Sequence, residues 1–109
     1  MKQGINIGYV QLKRNSEEKR SLQEALFLCK NAGFLDFDFL SAWNCDDYLE
    51  VARQARELFD ANGCSVHQSH CPFFRYKEDG ISLLKQAAPR AVEIAGILGA
   101  KYFVLHADE

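Results

Sequence analysis

No stretch of this sequence is apolar for long enough to cross a membrane. Every hydrophobic run ends well short of the roughly 20 residues that a spanning helix requires. The first residues, from Met1 to Gly4, lead directly into a strand-like segment and lack the pattern of a secretory leader. We therefore expect a cytoplasmic protein with no membrane partner.

The sequence also lacks an excess of positive charge. It contains 13 Lys and Arg residues against 15 Asp and Glu residues, and its formal net charge is -2. Proteins that bind nucleic acid usually carry a basic surplus, because phosphate contacts supply much of their affinity. We therefore expect no nucleic-acid partner.

Cysteine is present, but no export signal accompanies it. The four residues are Cys29, Cys45, Cys64 and Cys71. Their even number permits disulfides, yet such bonds belong mainly to oxidising compartments. We predict reduced thiols that pack as small hydrophobic side chains.

A strand–helix repeat runs through the whole chain, and no linker or low-complexity segment interrupts it. The predicted strands are residues 5–10, 34–40, 64–70 and 101–105, and the predicted helices begin near residues 21, 47 and 81. This regularity and the length of 109 residues predict a single domain over residues 1–109.

The predicted helices carry start and stop signals. Ser21 with Glu24 matches a capping box, and Asp47 with Glu50 resembles a second cap. Each helix ends at a glycine, namely Gly33, Gly63 or Gly99. Pro89 falls inside the third helical pattern and predicts a kink, or a short helix followed by a fresh start.

Alternating strands and helices predict an α/β fold with a parallel sheet. An open doubly wound sheet and part of a (β/α)₈ barrel both remain compatible with this pattern. Strands one and two alternate between apolar residues and polar ones such as Asn6, Asp36 and Asp38, whereas strands covered by helices on both faces are almost continuously apolar. No Gly-rich phosphate fingerprint follows strand one. These features favour the first half of a (β/α)₈ (TIM) barrel, with four strands and three helices.

The candidate site residues follow from this arrangement, because functional groups collect at the carboxyl ends of parallel strands. Strand three ends at His70, and His106 follows strand four, so both imidazoles should reach the same rim. The alternative is a pair of histidines that are merely hydrogen-bonded there. Asp38 and Trp43, at and after the end of strand two, are candidate substrate-binding residues.

Two neighbouring residues are interpreted as structural. Asp36 lies deeper on the predicted polar face than Asp38. His67 has the opposite strand parity to His70, so the two should point to opposite faces. The cluster of Cys64, His67, His70 and Cys71 does not predict a zinc site, because an extended strand cannot direct these side chains to one centre.

Three segments together resemble the sugar phosphate isomerase/epimerase family of the xylose isomerase-like barrel superfamily. They are GFLDFD at residues 33–38, HCPF at residues 70–73, and residues 91–106, where a helix ends in LGAK before an apolar strand and a histidine. The resemblance implies a TIM barrel that isomerises or epimerises a sugar or sugar phosphate with a divalent metal (Mn, Mg, Zn or Co). It implies that His70 and His106 are catalytic or substrate-binding, and in related apurinic-site endonucleases the matching histidines bind zinc.

The chain departs from that family in two ways. The later strands, which carry most metal ligands in the isomerase branch, are absent, and strand two offers aspartates where relatives often have a glutamate. We therefore expect this chain alone to be inactive and to bind no metal by itself. Two alternatives are a fragment of a zinc phosphodiesterase that acts at abasic DNA, and a non-catalytic half-barrel that assembles with a second copy through its exposed sheet edges.

Overall fold

The computed structural model describes residues 5–7, 11, 20–72 and 80–105. Seven elements alternate along this part of the chain: β1 (Ile5–Asn6), α1 (Leu22–Asn31), β2 (Asp36–Asp38), α2 (Tyr48–Ala61), β3 (Ser65–His70), α3 (Gly80–Leu98) and β4 (Tyr102–Val104). The predicted order of strands and helices is therefore confirmed. The strands are shorter than predicted, and residues 8–10 of predicted strand one lie outside the described residues.

Ser21 is the N-cap of the first helix, which confirms the predicted capping position. Its hydroxyl accepts a hydrogen bond of 3.1 Å from the backbone N–H of Glu24. This bond satisfies one of the amides that every helix start leaves without an intrahelical partner. The helix ends at Gly33, whose φ of 94° lies in the left-handed region.

The prediction of a second cap at Asp47 is wrong. Asp47 precedes α2, but its side chain forms no capping hydrogen bond. Its backbone, with φ -95° and ψ 26°, does not take the extended conformation that lets an N-cap side chain reach the first amides. Burial of its apolar face stabilises this helix instead, and that face includes Ala52, Ala55 and Phe59.

Pro89 does not divide the third helix. The helix α3 runs without interruption from Gly80 to Leu98, so the predicted fresh start at Pro89 is wrong. Both Pro89 and Lys85, one turn earlier, are exposed. Pro89 removes the helical donor to the carbonyl of Lys85, and on this exposed side of the helix the missing bond costs less than it would in the core.

The four strands form one parallel sheet in the order β1-β2-β3-β4. Each strand therefore lies beside the strand that precedes it in the chain. The helices pack in the same order, α1 on α2 and α2 on α3. Since parallel crossovers are as a rule right-handed, consecutive ones bring the connecting helices to one face of the sheet.

The apolar core lies between this helical layer and one face of the sheet. Phe37 of β2 and Phe59 of α2 are fully buried, with ring centroids 5.7 Å apart. Val66 of β3 and Ile7, which directly follows β1, join them, together with buried side chains from all three helices. The face of the sheet that turns away from the helices is therefore the one on which polar side chains can collect.

All four cysteines are free thiols, as predicted. Cys29, Cys64 and Cys71 are buried, the first two within the apolar core, whereas Cys45 is only half-buried. Among the described helices, none combines the length and the hydropathy of a bilayer-spanning segment.

Candidate functional site

The polar face of the sheet carries paired side chains from neighbouring strands. Asn6 of β1 lies opposite Asp38 of β2 in the parallel ladder. Asp36 accepts a hydrogen bond of 2.6 Å from the hydroxyl of Ser65 in β3. Asp36 is therefore part of the cross-strand pairing that stabilises the sheet, in line with its interpretation as a structural residue.

Asp38 and His70 form the central contact of this face. The imidazole Nδ1 of His70 lies 2.8 Å from Oδ1 and 2.7 Å from Oδ2 of Asp38. The side chain of His70 is 32% exposed and that of Asp38 is 17% exposed, so the pair is partly screened from solvent. Because an ionised carboxylate can only accept, this contact requires an N–H on Nδ1 as the hydrogen-bond donor, and in a neutral ring Nε2 is then the acceptor nitrogen.

Gln68 completes this cluster, and the sequence analysis did not select it. Its amide Nε2 donates to Oδ2 of Asp38 at 3.2 Å and lies 3.4 Å from Nε2 of His70. The two N–H groups of one amide can thus serve the carboxylate and the acceptor nitrogen of the imidazole. Strand parity could have identified Gln68, since it lies two residues before His70.

A register irregularity changes the expected orientation of His67. Phe37 pairs with Val66, but the next residue, Asp38, pairs with Gln68, so one residue of β3 is inserted. His67 is that residue, and its ring packs edge-on against Tyr102 at a centroid distance of 5.2 Å. Because the insertion interrupts the alternation of side chains, the parity rule that placed His67 on the face opposite His70 does not hold across it.

A cavity of about 600 Å³ opens at the carboxyl ends of these strands. Its lining includes Asn6, Asp38 and His70 from the sheet, and Trp43 from the loop after β2. The structure thus brings together three of the predicted site residues, Asp38, Trp43 and His70. Ser41 also lines this cavity, and its buried hydroxyl forms no hydrogen bond among the described residues.

His106, the second histidine of the predicted site, lies outside the described residues. The strand that leads to it is described, and Val104 of β4 pairs with His70 of β3. The backbone N–H of Cys71 also donates to the carbonyl of Val104 at 2.8 Å. The ends of β3 and β4 are therefore adjacent.

Cys71, which follows His70, also lines the cavity but is a poor nucleophile. Its side chain is only 2% exposed. Burial raises the pKa of its thiol, so the thiol keeps its proton at neutral pH. Because the thiolate is the reactive form of cysteine, the structure gives no support to a cysteine-based mechanism at this position.

The described residues present no complete ligand set for a divalent metal. No group of three or more His, Cys, Asp or Glu side chains among them has the arrangement of a metal site. A catalytic metal usually takes about three protein ligands. Here the wall offers one imidazole nitrogen, Nε2 of His70, with the Asp38 carboxylate behind the ring, which is the arrangement of a single oriented ligand.

Comparison of the chain with known protein families, with curated proteins and with solved structures finds no match. The functional assignment therefore depends on the sequence pattern and on the geometry of the polar face.

Proposed function

We propose that this chain forms the first half of a (β/α)₈ barrel and that its polar face lines the barrel interior. The consecutive strand order β1-β2-β3-β4 supports this proposal. A doubly wound sheet reverses its strand order at a switch point and carries helices on both faces, whereas a barrel wall adds each new strand on the same side.

We further propose that the complete barrel is a metal-dependent sugar or sugar phosphate isomerase/epimerase. The observation that carries this proposal is the Asp38–His70 pair at the carboxyl end of β3, beside Trp43 in one cavity. The paired carboxylate fixes the imidazole so that its acceptor nitrogen can bind a substrate hydroxyl or take part in proton transfer. An indole beside such polar groups suits the apolar face of a sugar ring.

The role of Asp38 in this proposal is to orient His70. A carboxylate that accepts from one imidazole nitrogen selects the tautomer and stabilises the ring when the other nitrogen takes a proton. When bound in the complete enzyme, a divalent metal such as Mn, Mg, Zn or Co supplies polarisation of the substrate oxygens. His70, together with His106, is the ligand that this half would contribute.

We expect this chain alone to bind a sugar weakly and to catalyse no isomerisation. The described wall has one oriented imidazole and lacks the second group that would return the proton to the substrate. A purified 109-residue chain that converted a ketose in the presence of Mn²⁺ would refute this part of the proposal.

A sugar titration tests the proposed site directly. The chain contains one tryptophan, Trp43, which lines this cavity, so its fluorescence is a single-site probe of changes there. We expect ketopentoses or ketohexoses, free or phosphorylated, to change this fluorescence saturably in the unsubstituted chain and in the control His67→Ala. The change should be lost in His70→Ala. An absence of any change with all of these sugars, or equal responses from the two variants, would contradict a sugar site at His70.

A further inference from the structure

Arg90 of helix α3 is hydrogen-bonded to the loop after β2, which carries Trp43. The guanidinium of Arg90 donates from Nη1 to the carbonyl of Trp43 at 2.9 Å and to the carbonyl of Cys45 at 3.2 Å. These are charge-assisted bonds to backbone that no helix or strand pairs. Arg90 therefore fixes the backbone at the residue whose side chain lines the cavity.

The aromatic ring of Tyr48 stacks against the same guanidinium. The central carbon of the Arg90 guanidinium lies 4.6 Å from the centroid of the Tyr48 ring, within the range of a cation–π contact. The hydroxyl of Tyr48 donates to Oε1 of Glu93 at 2.9 Å, so the ring is tied to α3 one turn from Arg90. A planar guanidinium can stack on the Tyr48 ring while the two N–H groups of Nη1 donate to the two carbonyls.

Trp43 also lines a second cavity, of about 350 Å³, together with Asn44, Gln86 and Arg90. Trp43 thus contributes both to the cavity that contains Asp38 and His70 and to a smaller one at α3. A displacement of the Arg90 guanidinium would therefore change the position of the Trp43 indole and leave the contact between Asp38 and His70 unchanged.

We infer that Arg90 is a positioning residue for the candidate site, because its bonds to the loop backbone set where Trp43 meets the cavity. This inference rests on the proposed function only in that the cavity is taken to bind substrate. On this inference, Arg90 acts on the site from outside the Asp38–His70 cluster. The position of Trp43, and with it the shape of one side of the cavity, then depends on a residue of α3.

The first test is the accessibility of Trp43 in Arg90→Met, which keeps the apolar stem of the side chain and removes the guanidinium. We expect acrylamide to quench Trp43 about twofold more strongly once the loop is released, while far-UV circular dichroism stays unchanged. The matched control is Arg53→Met, since Arg53 contacts only Glu50 at 3.4 Å among the described ion pairs and both side chains are more than half exposed. Quenching that is equal in the two folded variants would overturn the inference.

A second measurement needs no substitution and covers the case in which Arg90→Met fails to fold. In the full chain, ¹⁵N exchange spectroscopy reports how fast each guanidinium rotates about its Nε–Cζ bond. We expect slow rotation for Arg90, because two carbonyls and a ring restrain it, and fast rotation for Arg53. Fast rotation at both residues would overturn the inference.

The sugar titration separates this inference from the proposed function. A sugar response that weakens in Arg90→Met but persists in Arg53→Met supports both. If no sugar binds at all, the proposed function fails, whereas the quenching and rotation measurements still decide the role of Arg90.

Discussion

Asp38 and His70 lie 32 positions apart in the chain and meet only because β2 and β3 pair in parallel. Neither residue gives a strong signal alone, since aspartates and histidines are common at the ends of strands. Their contact is informative because a carboxylate on one ring nitrogen determines what the other nitrogen can do. Gln68, which reaches both groups, makes the same cluster more rigid.

The buried cysteines predict a dependence of stability on alkaline pH. Burial raises the pKa of Cys29, Cys64 and Cys71 above the ordinary thiol value of 9.0. The folded chain therefore keeps these protons at pH values where the unfolded chain releases them. Their contribution to stability is complete below the unfolded pKa and is lost as the pH rises from about 9 through the folded pKa.

Urea unfolding near neutral pH and at about pH 10 measures this effect. We expect the free energy of unfolding to fall over this interval, and to fall less in a variant with alanine at all three positions. The two chains are compared by how steeply the free energy of unfolding changes with pH. The packing that alanine removes lowers this free energy equally at both pH values, so it does not affect the comparison. An identical decline in the two chains would show that other groups cause it.

At the scale of the elements, the end of α3 gives the sharpest prediction. Gly99 has a φ of 73°, and the guanidinium of Arg56 fills the space that a Cβ atom would occupy. That guanidinium donates to the carbonyl of Ile97 at 3.1 Å, so it cannot move without losing a bond. Gly99→Ala should therefore lower the free energy of unfolding by about 2 kcal/mol.

Gly96→Ala is the matched control for this substitution. Gly96 lies within the same helix three residues earlier, and nothing lies within 4 Å of an added Cβ there. Alanine should stabilise this position by about 0.5–1 kcal/mol, because it favours the helix over glycine. Thermal unfolding of the two variants checks the opposite signs, and a shift in the same direction for both would contradict this account of the helix end.

Local signals predicted the elements well, because they depend on residues close in the chain. Ser21 begins α1 and Gly33 ends it through contacts within one turn. The cap at Asp47 failed because the backbone there is not extended, whereas two other errors arose where strand pairing or exposure decides. The register shift between β2 and β3 changed the surroundings of His67, and exposure allowed Pro89 to remain inside α3.

The candidate site could be predicted only in part for the same reason. Strand ends identified Asp38 and His70, since parallel strands present their carboxyl ends at one rim. The sequence analysis did not select Gln68, whose cross-strand partner lies 30 positions away and which only its parity with His70 connects to the site. Nothing in the sequence indicated Arg90, because its role depends on a helix–loop contact over 47 positions. A single polar residue on a strand or an amphipathic helix carries no sign of such a partner.

At the scale of the whole molecule, the two outer strands shape the behaviour in solution. Among the described strands, β1 and β4 each have a neighbour on one side only, and Tyr102 and Leu105 beside the β4 edge are more than half exposed. Such edges favour pairing with another strand, and two copies could close an eight-stranded barrel. We expect light scattering to give a mass above 12.4 kDa, with a dimer as the defined product.

A lysine on the β4 edge provides the control, because a charge there opposes edge pairing. Tyr102→Lys should shift the mass toward the monomer while circular dichroism stays unchanged. A monomer at all concentrations of the unsubstituted chain would contradict the proposed association, and soluble aggregates of undefined size would exclude a closed dimer.

The most direct test of the central claim is the ¹⁵N NMR spectrum of the His70 imidazole, recorded at a pH where the ring is neutral. The parallel pairing of β2 with β3 predicts a proton fixed on Nδ1 and none on Nε2. It also predicts a loss of this preference in Asp38→Asn but not in Asp36→Asn. A ring with its proton on Nε2, or one that is unchanged by Asp38→Asn, would contradict both the proposed sheet register and the site built on it.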